Sequence, residues 1–259
     1  MVHSARGEPL LRVERVRKVF GHVTALDGVD FELFDNEVVG LVGDNGAGKS
    51  TLVRVLSGVL QPDAGTVLLH GEPLHLGTPA DARRNGIETV YQDLALAEPL
   101  DIESNLFLGR ERRRAGFMGN VLRRLDVPAM RRDAANRMAE LNIFAPPSQL
   151  VETLSGGQRQ AVAIARAISW GSRIVILDEP TAALGVQQAA LVLDLIRKVR
   201  ASGRAVVLIS HNLPDVFAVA DRIQVLRLGR RVGVANPREQ SMNDVVGMIT
   251  GSNLVRGAA

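Results

Sequence analysis

The sequence of 259 residues has no cysteine, no internal repeat, no low-complexity linker and no apolar run of bilayer-spanning length. The first absence excludes disulfides and thiolate metal centres and suits a reducing compartment. The last excludes a transmembrane helix, which needs about 20 consecutive apolar residues. The opening stretch MVHSARGEPLLRVERVRKVF lacks the continuous apolar centre of a signal peptide, so the chain is expected to stay in the cytoplasm. One-signed charge is missing too: 31 Lys+Arg against 28 Asp+Glu leave +3, and a nucleic-acid partner is not demanded. The five histidines are scattered.

What is present suffices for a full core, as one large domain or two subdomains: 46% of residues are hydrophobic. Apolar alternation in LRVERV and VDFELF marks half-buried strands, and EVVGLVG reads as a buried strand ending at Gly43. KSTLVRVLSG carries helical spacing and stops at Gly58, and GTVLLHG returns as a strand. A second such stretch starts near Arg173, with strand RIVILDEP, a helix from Val186 to Arg200, strand RAVVLIS, a short helix after His211 and strand RIQVLRL. This alternation predicts an α/β fold with a parallel sheet covered by helices. Between the two stretches, residues 94–169 read as a mostly helical insert into a core of residues 1–93 and 170–259. Its basic cluster RERRRAG, Arg110 to Gly116, reads most simply as a solvated helix end or loop.

GDNGAGKST fits G-x-x-x-x-G-K-[ST], with Gly43, Gly48, Lys49 and Ser50 at the required spacing after a strand and before a helix. The glycines let backbone N–H groups turn inward around phosphates, and the helix start adds its positive end. Lys49 is expected at the β and γ phosphates of a nucleotide, Ser50 on Mg2+, and Thr51 at the α-phosphate. Asn45 and Gly46 lie within the same loop. IVILDEP places Asp178 and Glu179 at the C-terminal end of a strand, where ligands sit in open α/β sheets. Asp178 is expected to hold magnesium through its water shell and Glu179 to polarise an attacking water.

TLSGGQRQAVAIARA, Thr153 to Ala167, then presents a second anion-binding candidate, with Ser155, Gly156, Gly157 and Gln158 leading into a helix. It lies in the helical insert and cannot easily reach the nucleotide held by its own Lys49. A head-to-tail pair satisfies both loops, each copy closing its Ser155–Gly157 segment over the γ-phosphate of the other.

GDNGAGKST, LSGGQRQ, ILDEPTAAL and ISHN, in that order and over nearly the whole chain, resemble the ATP-binding subunit of ABC transporters. The resemblance implies a P-loop NTPase (RecA-like) core with a mostly parallel sheet, an antiparallel β subdomain and an inserted α-helical subdomain. It implies ATP and Mg2+ as ligands. Gln92 in VYQDLAL matches the glutamine that joins core to insert and senses magnesium and water. His211 reads from the residues alone as a structural cap. The resemblance instead makes it the histidine that contacts the γ-phosphate and orients water. Phe20, otherwise a core residue, matches the aromatic that stacks on adenine. Gly185 departs from the pattern, because the family usually has an aspartate there that communicates across the dimer.

The absence of a second cassette, of long coiled coils and of zinc modules favours transport over ribosome or chromosome work. DLALAEPLDIESNLFLGRE and HNLPDVFAVADRI resemble the monosaccharide-importer class. The resemblance implies a homodimer on the cytoplasmic face of the cell membrane, bound to two transmembrane permease subunits and served by an extracytoplasmic sugar-binding protein. A cytosolic ABC-type ATPase acting on a protein or nucleic-acid complex is the alternative, and a nucleotide sensor without turnover a third.

Overall fold

The computed structural model describes residues 7–116 and 123–252. Two sheets share the chain. The first is antiparallel, in the order β2-β1-β4-β5, with β1 Leu11–Phe20, β2 Val23–Leu33, β4 Ala64–Leu69 and β5 Glu72–Pro73. Gly21, at φ +57°, turns β1 into β2, a conformation glycine adopts without a Cβ penalty.

The second sheet runs β10-β9-β3-β8-β7-β6, with β3 Val38–Val42, β6 Ile87–Val90, β7 Ile174–Asp178, β8 Ala205–Ile209, β9 Arg222–Arg227 and β10 Arg230–Ala235. Its pairs are parallel except β9–β10, an antiparallel hairpin at one edge. β3, β7 and β8 are buried on both faces, which is why they read as unbroken apolar runs.

The pleat sends alternate side chains of these strands into two different cores. Val39 and Leu41, Ile174 and Ile176, and Val207 and Ile209 join the antiparallel sheet and helix α1, Lys49–Leu56, on one side. Val38 and Val42, Val175 and Leu177, and Val206 and Leu208 face the other side. There they meet α3 Ile102–Phe107, α4 Val127–Glu140, α5 Gly156–Ile168 and α6 Val186–Ala201. The short helix α2, Pro79–Arg84, leads into β6, α7 Leu213–Val219 follows β8, and α8 Met242–Thr250 packs on β9 and β10. The helices of residues 94–169 thus share one continuous core with the sheet. Among the described residues, no helix is long and apolar enough to cross a membrane.

Candidate active site

The loop from Gly43 to Thr51 connects β3 to α1 and is pressed against its surroundings. A Cβ on Gly43 would lie 2.2 Å from the carbonyl oxygen of Leu226, and one on Gly48, at φ +103°, 2.7 Å from that of Ala25. Only glycine fits at either place. The loop encloses Lys49, whose Nζ donates to the carbonyls of Gly43 at 2.7 Å and Asp44 at 3.0 Å. Burial pulls the lysine pKa down, and the carboxylates of Glu179, Asp44 and Asp178 oppose that pull. Gly48 caps α1 without a side-chain hydrogen bond, so the first-turn N–H groups lack an internal anionic partner. Ser50 and Thr51 sit in that turn.

β7 delivers the two carboxylates beside this lysine. Burial, and then the neighbouring Glu179, raise the pKa of Asp178, with Lys49 and Arg54 acting in the opposite sense. Glu179 adopts φ +52°, a left-handed conformation costing of order 1 kcal/mol in a residue with a side chain. Its own N–H donates to the carbonyl of Ile209 at 2.9 Å, which fixes the turn to the end of β8. Its carboxylate faces His211: the backbone N–H of His211 donates to Oε1 at 3.1 Å, and Nδ1 lies 2.8 Å from Oε2. The histidine is 70% exposed and caps no helix, so its structural reading from the sequence does not hold. Just beyond, buried Thr181 donates through Oγ1 to Asp215 of α7 at 2.7 Å, tying the DEPT turn to the helix after His211.

Gln92 is exposed two residues past β6. The backbone after it is gripped from both sides, a feature with no visible mark in the sequence. Arg166 of α5 donates to the carbonyls of Leu94 at 2.8 Å and Ala95 at 2.7 Å. Asn105 of α3, fully buried, both donates to and accepts from the backbone of Ala97. Phe20 is 44% exposed rather than in the core, with Lys18 Nζ 5.7 Å from its ring centre.

Ser155 caps α5. Its hydroxyl accepts from the N–H of Gln158, and its own N–H donates to Gln158 Oε1 at 2.9 Å. The S-x-x-Q pattern therefore serves the start of α5 as a capping box, a role that Ser155 and Gln158 fill without any phosphate. Gly156 and Gly157 pack on Leu184 and Gln188, and added Cβ atoms would sit 2.9 and 3.1 Å from those side chains. The structure thus groups Lys49, Asp178, Glu179 and His211, while the second loop packs on Leu184 and Gln188, in the segment that follows Glu179. α1 packs into the core on one face of the parallel sheet, and α5 packs into the core on the other.

Residues 26–182 match the ABC transporter family model. The chain belongs to the ABC transporter family. It is an ABC-type ATPase and binds ATP. It is similar to the fructose import ATP-binding protein FrcA of Rhizobium meliloti, 51% identical over 95% of each chain. It is also similar to a xylose/arabinose import ATP-binding protein of Sulfolobus acidocaldarius, 43% identical over 93% of this chain and 94% of that one. A ribose import ATP-binding protein of Rubrobacter xylanophilus is 40% identical over 95% of this chain, which spans only 48% of that protein. Among solved structures, cbiO1 of Clostridium perfringens, part of an ABC transporter complex, superposes with a TM-score of 0.77 at 25% identity, covering 96% of this cassette and 97% of that one.

Proposed function

We propose that this cassette powers the import of a simple sugar by binding and hydrolysing ATP between two copies of itself. The observation that supports the dimer is that α1 packs into the core on one face of the parallel sheet and α5 into the core on the other, which fits a Ser155–Gly157 segment that closes over the Lys49 of a second copy. The two copies are then turned head to tail. The names of the fructose and xylose/arabinose relatives support sugar import.

In this reading Lys49 exchanges the carbonyls of Gly43 and Asp44 for the β and γ phosphates, and Thr51 meets the α-phosphate. Gly43, Asn45, Gly46 and Gly48 shape the backbone around them, and Phe20 stacks on adenine. Gln158, with Ser155, Gly156 and Gly157, belongs to the wall supplied by the partner copy. No described cluster of His, Asp and Glu would hold a metal by itself. That fits Mg2+, which takes one or two protein oxygens and completes its shell with phosphates and water. Ser50, Asp178 and Gln92 would hold it, and the ion would neutralise charge on the phosphates. Glu179 accepts the proton of the attacking water as ATP is cleaved to ADP and phosphate, and His211 positions that carboxylate and the γ-phosphate.

Residues 1–93 and 170–259 act as the nucleotide-binding core and 94–169 as the helical unit that moves against it. ATP closes the dimer and hydrolysis reopens it, driving two permease subunits from the cytoplasmic face of the membrane while an extracytoplasmic binding protein delivers the sugar. No nucleic acid takes part. Co-purification of permeases in detergent, with loss of uptake for one pentose or hexose after deletion, is the expected result. ATP hydrolysis stimulated by nucleic acid, with uptake of the whole sugar panel intact, would overturn it.

A further inference from the structure

Glu179 keeps a left-handed backbone, φ +52°, which a residue with a side chain retains only where its surroundings fix it. Some of those surroundings belong to the site itself: the N–H of Glu179 on the carbonyl of Ile209, and both carboxylate oxygens on His211. These contacts tie the start of the turn to the end of β8. The far end of the turn has its own anchor in Thr181. This residue is only 7% exposed, and its Oγ1 donates to Oδ2 of Asp215 at 2.7 Å. Its carbonyl accepts from the N–H of Leu184 at 3.2 Å, and that of Glu179 accepts from the N–H of Ala182, also at 3.2 Å. The hydroxyl bond therefore pins the middle of a continuous turn that starts at the carboxylate.

Asp215 stands in the first turn of α7, just beyond His211. The helix begins without a side-chain cap from Asn212, and its body is wedged against β3: a Cβ on Gly40 would lie 2.4 Å from Cγ1 of buried Val216. Two clasps thus join the same two stretches of chain, Glu179 to His211 and Thr181 to Asp215, and close them into a ring. The first clasp is open to solvent at its histidine. The second is sealed at its threonine. A hydroxyl that donates to a carboxylate makes a charge-assisted bond, roughly twice as strong as a neutral one, and burial of the donor keeps water from replacing it.

The geometry points to Thr181 and Asp215 as a positioning pair for ATP hydrolysis: they fix the far end of the turn, so that the Glu179 carboxylate stays in line with the water it activates. The inference rests on Glu179 as the base. Binding of the phosphates draws on other elements, β3 and α1, and is untouched by the pair. The chemical step is sensitive to it, because a displacement of about 1 Å can cost about 10²-fold in rate. A purely fold-holding bond behaves differently, since its loss lowers the melting temperature and leaves the folded molecules reacting at their former rate.

The test uses the full chain with ATP and Mg2+, reading the single-turnover rate, the affinity for a fluorescent ATP analogue and the melting temperature. Thr181→Val keeps the shape and removes the donor; Asp215→Ala removes the acceptor. Each should slow the single-turnover rate about 10–100-fold with analogue affinity unchanged. The two together should cost no more than the slower one alone, because they break the same bond. Thr181→Ser keeps the donor and should stay close to the wild-type rate. In a Glu179→Gln background Thr181→Val should have no further effect, as no base is left to position. A wild-type rate in either single variant, or a further loss in the Glu179→Gln background, would overturn the proposal. So would variants that fail to fold, since the pair then holds the fold rather than the base. Wild-type turnover by Glu179→Gln would sink the base assignment itself, whereas an inactive Glu179→Gln beside an active Thr181→Val sinks the positioning pair alone.

Discussion

Nδ1 of His211 lies 2.8 Å from Oε2 of Glu179, while the backbone N–H of the same histidine holds the other carboxylate oxygen. The base is therefore oriented before any nucleotide arrives. Glu179→Gln keeps the shape and removes the proton acceptor. Its single-turnover hydrolysis rate should fall about 10²–10⁴-fold with ATP affinity unchanged. His211→Ala leaves the backbone contact and should cost less, about 10–100-fold, the size of one hydrogen bond to a charged group.

Lys49 is parked on Gly43 and Asp44 until a stronger acceptor appears. Lys49→Ala should weaken ATP binding about 10–100-fold, as expected for one lost charge-assisted hydrogen bond. Titration with a fluorescent ATP analogue reads this directly, and unchanged affinity would remove Lys49 from the phosphate site.

Asp178 carries a pH signature. Its folded-state pKa is raised, chiefly by burial and then by Glu179. The folded protein therefore binds this proton more tightly than the unfolded chain does. Stability falls as pH rises from the ordinary aspartate range through the raised value, and the full penalty stands above it. Asp178→Asn should thus raise the melting temperature of the nucleotide-free protein by a few degrees at neutral pH. The gain should vanish below the ordinary aspartate range. The same variant should lose most of the stabilisation that magnesium with ATP gives the wild type.

Gly185 caps α6 without a side chain, and a Cβ there would meet open space. Gly185→Asp should fold and stabilise α6 by a few tenths of a kcal/mol, the difference between aspartate and glycine at an N-cap. If the missing carboxylate limits communication between the two sites, the Hill coefficient for ATP should rise in this variant. An unchanged coefficient would show that the cassette couples its sites by other contacts.

Much of this architecture was legible because buried parallel strands write themselves as apolar runs: Val38–Val42 and Ile174–Asp178 each end where the chemistry begins. The edge was harder to read. β6 spans only Ile87–Val90 and contains Glu88, whose partner Arg110 lies beyond α3. The grip of Arg166 on the Gln92 segment left no trace, because its acceptors are backbone carbonyls about 70 positions away, and a carbonyl has no side-chain signature. Phe20 and His211 were ambiguous for another reason. An aromatic at the end of a strand and a histidine after a strand both suit a core or a cap, and only their exposure separates those roles from contact with a ligand.

Sedimentation velocity of Glu179→Gln with and without ATP tests the shared site most directly. A shift from monomer to dimer on adding ATP, abolished by Ser155→Arg, is the predicted result. A monomer at saturating ATP, alongside wild-type hydrolysis whose specific rate does not change with protein concentration, would contradict it.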